Sequence, residues 1–104
     1  MEIEVLVVPD CPHQQLAEKR LRQALQAAGL SDTGITIRVI ADQAEGERSG
    51  FTGSPTILID GRDPFAEPDA PPSLSCRIYR TSSGPAGAPG TDQLRRALEA
   101  AVGR

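Results

Sequence analysis

Residues 3–12 read Ile-Glu-Val-Leu-Val-Val-Pro-Asp-Cys-Pro, an apolar run that ends at a proline and is followed by a cysteine. The nearly continuous branched side chains of residues 3–8 predict a strand covered on both faces, as in a parallel sheet. Pro9 ends this strand. Cys11 is therefore expected at the junction between a buried strand and the next element.

Apolar residues recur at helical spacing directly after this junction. Over residues 13–28 leucines and alanines follow one face, and Pro12 fits the first turn, where its missing N–H removes no hydrogen bond. Gly29 is expected to end the helix. Residues 35–40 alternate apolar and polar side chains, which predicts a second strand parallel to the first.

The rest of the chain predicts four more regular segments and two irregular ones. The regular segments are a short helix at 42–49 with Asp42 as N-cap, strands at 56–59 and 76–80, and a last helix capped by Thr91. Residues 62–75 contain four prolines, and residues 82–90 are rich in glycine and proline. Both stretches are predicted to be irregular, and long loops in compact domains are usually functional or mobile.

Composition restricts the class of protein. The 104 residues are enough for one domain, spanning 1–104, and a net charge of −3 argues against a nucleic-acid partner. No stretch approaches the roughly 20 apolar residues of a membrane span. The acidic start, residues 1–4, is unlike a secretory signal, so the expected compartment is the cytoplasm. Two cysteines there are more often buried, catalytic or metal-binding than a permanent disulfide.

Two motifs resemble the thioredoxin fold: Cys11-Pro12 at a helix start, and Gly53-Ser54-Pro55-Thr56 before the third strand. The resemblance implies an α/β thioredoxin-like fold with the order β-α-β-α-β-β-α, in which a central four-stranded mixed sheet is flanked by helices. It also implies a cis peptide bond at Ser54-Pro55, with the proline packed against Cys11.

More narrowly, four stretches are similar to a group of small bacterial thioredoxin-like proteins: residues 9–12, 53–57, 60–64 and 74–80. Some members of that group carry selenocysteine at the position of Cys11, and some are labelled as related to alkylmercury lyase. This favours a reactive Cys11. Gln14 replaces the second cysteine of the C-x-x-C motif of thioredoxin, so a disulfide within the motif cannot form.

Three residues are candidates for the chemistry: Cys11, Cys76 and His13. Free N–H groups and the positive helix end favour a thiolate at Cys11, whereas Asp10 would repel it; the alternative is a cysteine of ordinary reactivity. His13 is either a charge partner of the thiolate or a solvated residue. Its presence beside two cysteines gives too few ligands for structural zinc.

Cys76 has two possible placements. In a plain antiparallel hairpin of the third and fourth strands it lies far from Cys11, and a disulfide is excluded because bridged Cα atoms lie within about 7 Å. If the proline-rich stretch folds back over the sheet, residues 73–76 reach the Cys11 end. A small buried cysteine without function is the third interpretation.

The candidate substrate-binding residues are Pro12, Ser54, Pro55 and Arg77. By resemblance, the backbone of Ser54 pairs with an extended thiol substrate and Pro55 shapes the groove. Arg77 either binds a substrate anion or is a solvated residue on a strand edge.

Three functions remain open. The first is a thiol-disulfide redox protein in which Cys11 attacks a disulfide, a peroxide or a soft electrophile, and Cys76 or a low-molecular-weight thiol resolves the mixed disulfide. The second is a protein that binds a thiophilic metal such as mercury without turnover. The third is a redox-inert interaction module. No cofactor, resident metal, nucleic acid or membrane partner is expected.

Overall fold

The structure, a computed structural model, describes residues 1–67 and 74–103. Regular elements follow in the order β1 (Ile3–Val7), α1 (Gln14–Ala27), β2 (Ile35–Val39), α2 (Gln43–Ser49), β3 (Thr56–Ile59), β4 (Tyr79–Thr81), β5 (Gly84–Ala86) and α3 (Thr91–Val102). The fold is therefore α/β. The predicted order of elements is confirmed, with β5 as one addition. In the described part of the chain no helix is both long and apolar enough to cross a bilayer.

The main sheet has three strands in the order β2-β1-β3, with β1 parallel to β2 and antiparallel to β3. Side chains of β1 alternate between two apolar clusters. Ile3, Val5 and Val7 pack with the buried leucines of α1 and α3, whereas Leu6 packs on the other face with Phe51. The prediction of a first strand covered on both faces is confirmed, and the end of β1 is consequently fixed from both sides.

The long helices pack on one face of the sheet. In α1 the buried positions, Ala17, Leu21, Ala24 and Leu25, are those of the predicted apolar face. Gly29 ends the helix as predicted: its φ of 74° is left-handed, and the Leu30 N–H donates to the Leu25 carbonyl at 2.8 Å.

The other helix ends partly follow the predictions. Asp42 is the N-cap of α2 and accepts from the Glu45 N–H at 2.8 Å, as predicted. Thr91 is instead the first residue of α3, and Gly90 is its N-cap. The Gln93 side chain accepts the Gly90 N–H at 2.7 Å, so this end is closed by a bond from the third helical residue back to the N-cap and not by a threonine hydroxyl.

The prediction of one central four-stranded sheet is wrong. The segment 76–80 does not extend the main sheet; β4 pairs antiparallel with β5 in a separate two-stranded hairpin. The reason lies in residues predicted to be irregular. Gly84 adopts a φ of 104°, and the Thr81 hydroxyl donates to its carbonyl at 2.6 Å, which closes a tight turn and pairs β4 with the chain that follows it.

Candidate functional site

Cys11 lies in the turn between β1 and α1. Asp10, with a left-handed φ of 59°, redirects the chain after β1, and the Cys11 carbonyl accepts the Gln14 N–H at 3.4 Å. The Cys11 side chain is 9% exposed and belongs to the apolar cluster between the sheet and the long helices. Its thiol is free. Little of Cys11 is therefore accessible to a reacting partner.

Pro12 and His13 connect Cys11 to the helix. The prediction that Pro12 occupies the first helical turn is wrong, because α1 begins at Gln14 and His13 is its N-cap. Pro12 is exposed. The half-buried ring of His13 packs so closely on Gly87 that a Cβ there would overlap it. His13 thus joins the start of α1 to the chain that follows β5.

The Ser54 turn, residues 52–56, precedes β3 and is tied to the end of β1. The Ser54-Pro55 peptide bond is cis, as predicted. The Thr56 hydroxyl donates to the Gly53 carbonyl at 2.6 Å and closes the turn. Ser54 is fully buried, and its Oγ accepts the Val8 N–H at 3.1 Å. This bond attaches the turn to Val8, which lies three residues before Cys11.

The Cys76 segment, residues 74–79, lies along the other side of this turn. The Ser54 N–H donates to the Ser75 carbonyl and the Arg77 N–H to the Ser54 carbonyl, each at 2.9 Å, which makes a parallel bridge between Ser54 and Cys76. The chain therefore folds back toward the β1–α1 end, and the plain hairpin of the third and fourth strands is wrong. Cys76 is exposed and free rather than a buried strand residue. Ser73, part of the predicted fold-back, lies outside the described residues.

Arg77 is directed inward rather than along a solvated edge. Its Nη1 lies 2.6 Å from Asp63 Oδ2 and donates to Thr52 Oγ1 at 3.1 Å, while Nη2 donates to the Phe65 carbonyl. Only 11% of the side chain is exposed. The anion that Arg77 binds in this structure is the carboxylate of Asp63.

Tyr79 completes the contacts between the two segments. Its hydroxyl donates to the Pro55 carbonyl, and its ring receives the Arg77 guanidinium at 4.5 Å and the edge of Phe65 at 5.8 Å. Burial raises the pKa of Tyr79 well above its usual range; Arg77 opposes this shift and Asp63 adds to it. The phenol therefore stays neutral and remains a donor at neutral pH.

Sequence reasoning missed Asp63, Thr52 and Phe65 as partners of Arg77. No periodicity links these positions, because Asp63 and Phe65 lie within the irregular proline-rich stretch and Thr52 lies before β3. Strand alternation gave only a conditional signal: if Cys76 is exposed, Arg77 is directed inward and requires an anionic partner, but the sequence did not predict that Cys76 is exposed.

All seven predicted site residues lie in two groups, which the bond from the Val8 N–H to Ser54 Oγ connects. Pro12 and His13 accompany Cys11 at the β1–α1 junction, whereas Pro55, Cys76 and Arg77 adjoin Ser54. Within residues 1–67 and 74–103, no cluster of three or more His, Cys, Asp or Glu side chains could hold a metal ion.

Comparison of the chain with family models, curated proteins and solved structures gave no match.

Proposed function

We propose that this chain is a thioredoxin-like thiol-disulfide redox protein in which Cys11 is the nucleophile and Cys76 resolves the mixed disulfide. One observation carries the proposal: Ser54 bonds to both cysteine-bearing segments. Its Oγ accepts from Val8 at the end of β1, and its backbone pairs with Ser75 and Arg77 on either side of Cys76. The cis bond at Pro55 and the β1–turn–α1 placement of Cys11 support the thioredoxin-like assignment.

The proposed reaction has two exchange steps. The Cys11 thiolate attacks one sulfur of a substrate disulfide, forms a mixed disulfide and releases the other sulfur as a thiolate. The Cys76 thiolate then attacks the sulfur of Cys11, releases the remaining substrate thiolate and leaves an intrachain disulfide. Two molecules of a low-molecular-weight thiol then reduce this disulfide by the same exchange, which restores the protein dithiol and releases the two molecules as their own disulfide. The sequence predicts the cytoplasm as the compartment.

The two cysteines are suited to different steps. Cys11 is nearly enclosed, so a slender or extended disulfide would reach its sulfur more readily than a bulky one. Cys76 is exposed on a segment outside the main sheet, so its thiol is open to a reacting partner. The Ser54 turn keeps both segments at one end of the sheet. If the two sulfurs meet at this end, exchange between them is strongly accelerated over the same reaction between separate molecules.

Intact mass after mild oxidation and alkylation tests the pairing. Oxidised wild-type protein is expected to lose two hydrogen atoms as a monomer and to take up no alkyl group. Cys11→Ser and Cys76→Ser each remain alkylatable once, or form a mixed disulfide with an added thiol. If both cysteines of the oxidised wild type are alkylated separately, the pairing is wrong, and resolution by an external thiol is the remaining route.

A further inference from the structure

The ion pair between Asp63 and Arg77 is unlike the others in the described chain. Its N–O distance is 2.6 Å and its side chains are 11% and 9% exposed, whereas each other pair spans at least 3.1 Å and has one partner at least 41% exposed. Removing both charges from water costs free energy that the attraction only partly offsets. Such a pair is therefore expected to fix the position of its two side chains more than to add net stability.

Arg77 uses its planar donors to join two separate stretches to the Cys76 segment. Asp63 and the Phe65 carbonyl belong to the stretch after β3, and Thr52 belongs to the Ser54 turn. A guanidinium can reach these acceptors simultaneously because its N–H groups point in fixed directions within one plane. Lysine, with one small ammonium group, cannot replace this arrangement.

The backbone of Arg77 is fixed by the same contacts. Gly53 lies so close that a Cβ there would be 2.8 Å from the Arg77 Cβ, and the Arg77 N–H donates to the Ser54 carbonyl at 2.9 Å. An anchored side chain and an anchored N–H leave little freedom for the residue before them. Cys76, bridged to Ser54, is that residue.

We propose that Asp63 is a positioning residue: by holding the Arg77 guanidinium it keeps Cys76 beside Ser54, where Cys76 can resolve a mixed disulfide at Cys11. The inference rests on the proposed function for its chemical consequence. Its structural part, the anchoring of the Cys76 segment, does not require Cys11 to react.

The step concerned is intramolecular closure. A disulfide reagent first forms a mixed disulfide with one cysteine and releases one thiolate. The thiolate of the other cysteine then attacks the protein sulfur, forms the Cys11–Cys76 bond and releases a second thiolate. The reagent is reduced to two thiols and the protein dithiol is oxidised, so the exchange balances.

The test uses dithiobis(nitrobenzoate), whose thiolate product is coloured, at one equivalent per chain. Release of the second thiolate then reports closure, whichever cysteine reacts first. Asp63→Asn retains an acceptor for the Phe65 N–H but loses the charge. It is expected to slow closure at least about tenfold, since small misplacements of reacting groups have effects of this size. Glu99→Gln, which removes the exposed pair with Arg95, is the matched control and should close at the wild-type rate.

Hydrogen exchange of the Arg77 amide, measured in Cys11→Ser, provides a readout that needs no closure. Asp63→Asn should accelerate this exchange while the β1 amides stay protected. If the single variant is unfolded, the double variant Asp63→Asn/Arg77→Gln, which has no unpaired buried charge, replaces it in both measurements.

Unchanged closure together with unchanged Arg77 exchange in a folded variant would overturn the positioning role. Wild-type protein that releases no second thiolate would overturn the proposed pairing of the cysteines. Faster Arg77 exchange in that case would still support the anchoring by Asp63, so the two failures are distinguishable.

Discussion

Cys11 and Cys76 lie on segments that both bond to the Ser54 turn, but the two cysteines are held by different kinds of structure. Cys11 follows β1 directly and belongs to the apolar cluster that the long helices cover. Cys76 follows a stretch rich in proline, makes one isolated bridge to Ser54, and depends on the side chain of Arg77 for its anchorage. The difference teaches that one cysteine is placed by the core and the other by a few polar contacts. Local opening should consequently begin at Cys76.

Among the variants that test this difference between the two cysteines, Asp63→Asn is expected to lower the unfolding free energy most. The variant leaves the Arg77 guanidinium buried without its anionic partner, and such a change typically lowers the unfolding free energy by about 3–5 kcal/mol. Urea unfolding followed by circular dichroism measures it. Glu99→Gln removes a carboxylate from an exposed pair and should change stability by less than about 1 kcal/mol.

Equal losses in these two variants would mean that the Asp63–Arg77 pair contributes no more than a surface pair. In that case the contrast between the anchorage of Cys76 and that of Cys11 would rest on the backbone bonds to Ser54 alone.

The same contrast explains what the sequence could predict. Patterns within a single segment were sufficient for β1, for the buried face of α1 and for the Asp42 cap, because each depends on neighbours a few residues away. The cis bond at Pro55 was predicted from its motif. Cys11 was placed correctly at the strand–helix junction for the same reason, although α1 begins at Gln14 rather than at Pro12.

The errors concern contacts between distant residues. The second strand of the hairpin, β5, has a glycine and a proline among its three residues, which predict a loop when considered alone. The inward direction of Arg77 depends on Asp63, 14 positions away, near the start of the proline-rich stretch. Neither feature has a periodic signal, so tertiary pairing decided both.

A smaller effect is expected from Ser54→Ala, which cuts the link between the two cysteine-bearing segments. The variant removes the Oγ that accepts the Val8 N–H, and an unsatisfied donor in a buried site costs about 1–3 kcal/mol. Urea unfolding again gives the magnitude. Closure between Cys11 and Cys76 should also slow, because the turn is no longer tied to the end of β1.

Ser49→Ala is the matched control for Ser54→Ala. It removes a hydroxyl that accepts from Arg38 at the surface of α2, and its effect should stay within about 0.5 kcal/mol. If the two alanine variants lose equal stability, Ser54 is not a specific link between the segments.

The smallest effect is expected in the pH dependence of stability, through Tyr79 at the end of the Cys76 segment. Tyr79 is the single tyrosine of the chain, so ultraviolet absorbance of phenolate reports one group. Because burial raises the pKa of Tyr79 in the folded state, the unfolded protein should titrate near the usual value of about 10 and the folded protein above it. Below that pH both states are neutral at this group, and its contribution to stability is fully present. As the pH rises further the unfolded state loses the proton first, so the unfolding free energy falls.

Tyr79→Phe separates this contribution from other alkaline effects. The variant loses the bond to the Pro55 carbonyl, which costs about 0.5–1.5 kcal/mol at neutral pH, and it has no phenol to titrate. Its unfolding free energy should therefore fall less steeply above pH about 10 than that of the wild type. A wild-type phenol that titrates at the same pH whether folded or unfolded would show that Tyr79 is open to solvent. The Cys76 segment would then be only loosely held against the Ser54 turn, whereas the placement of Cys11 by β1 and α1 would be unaffected.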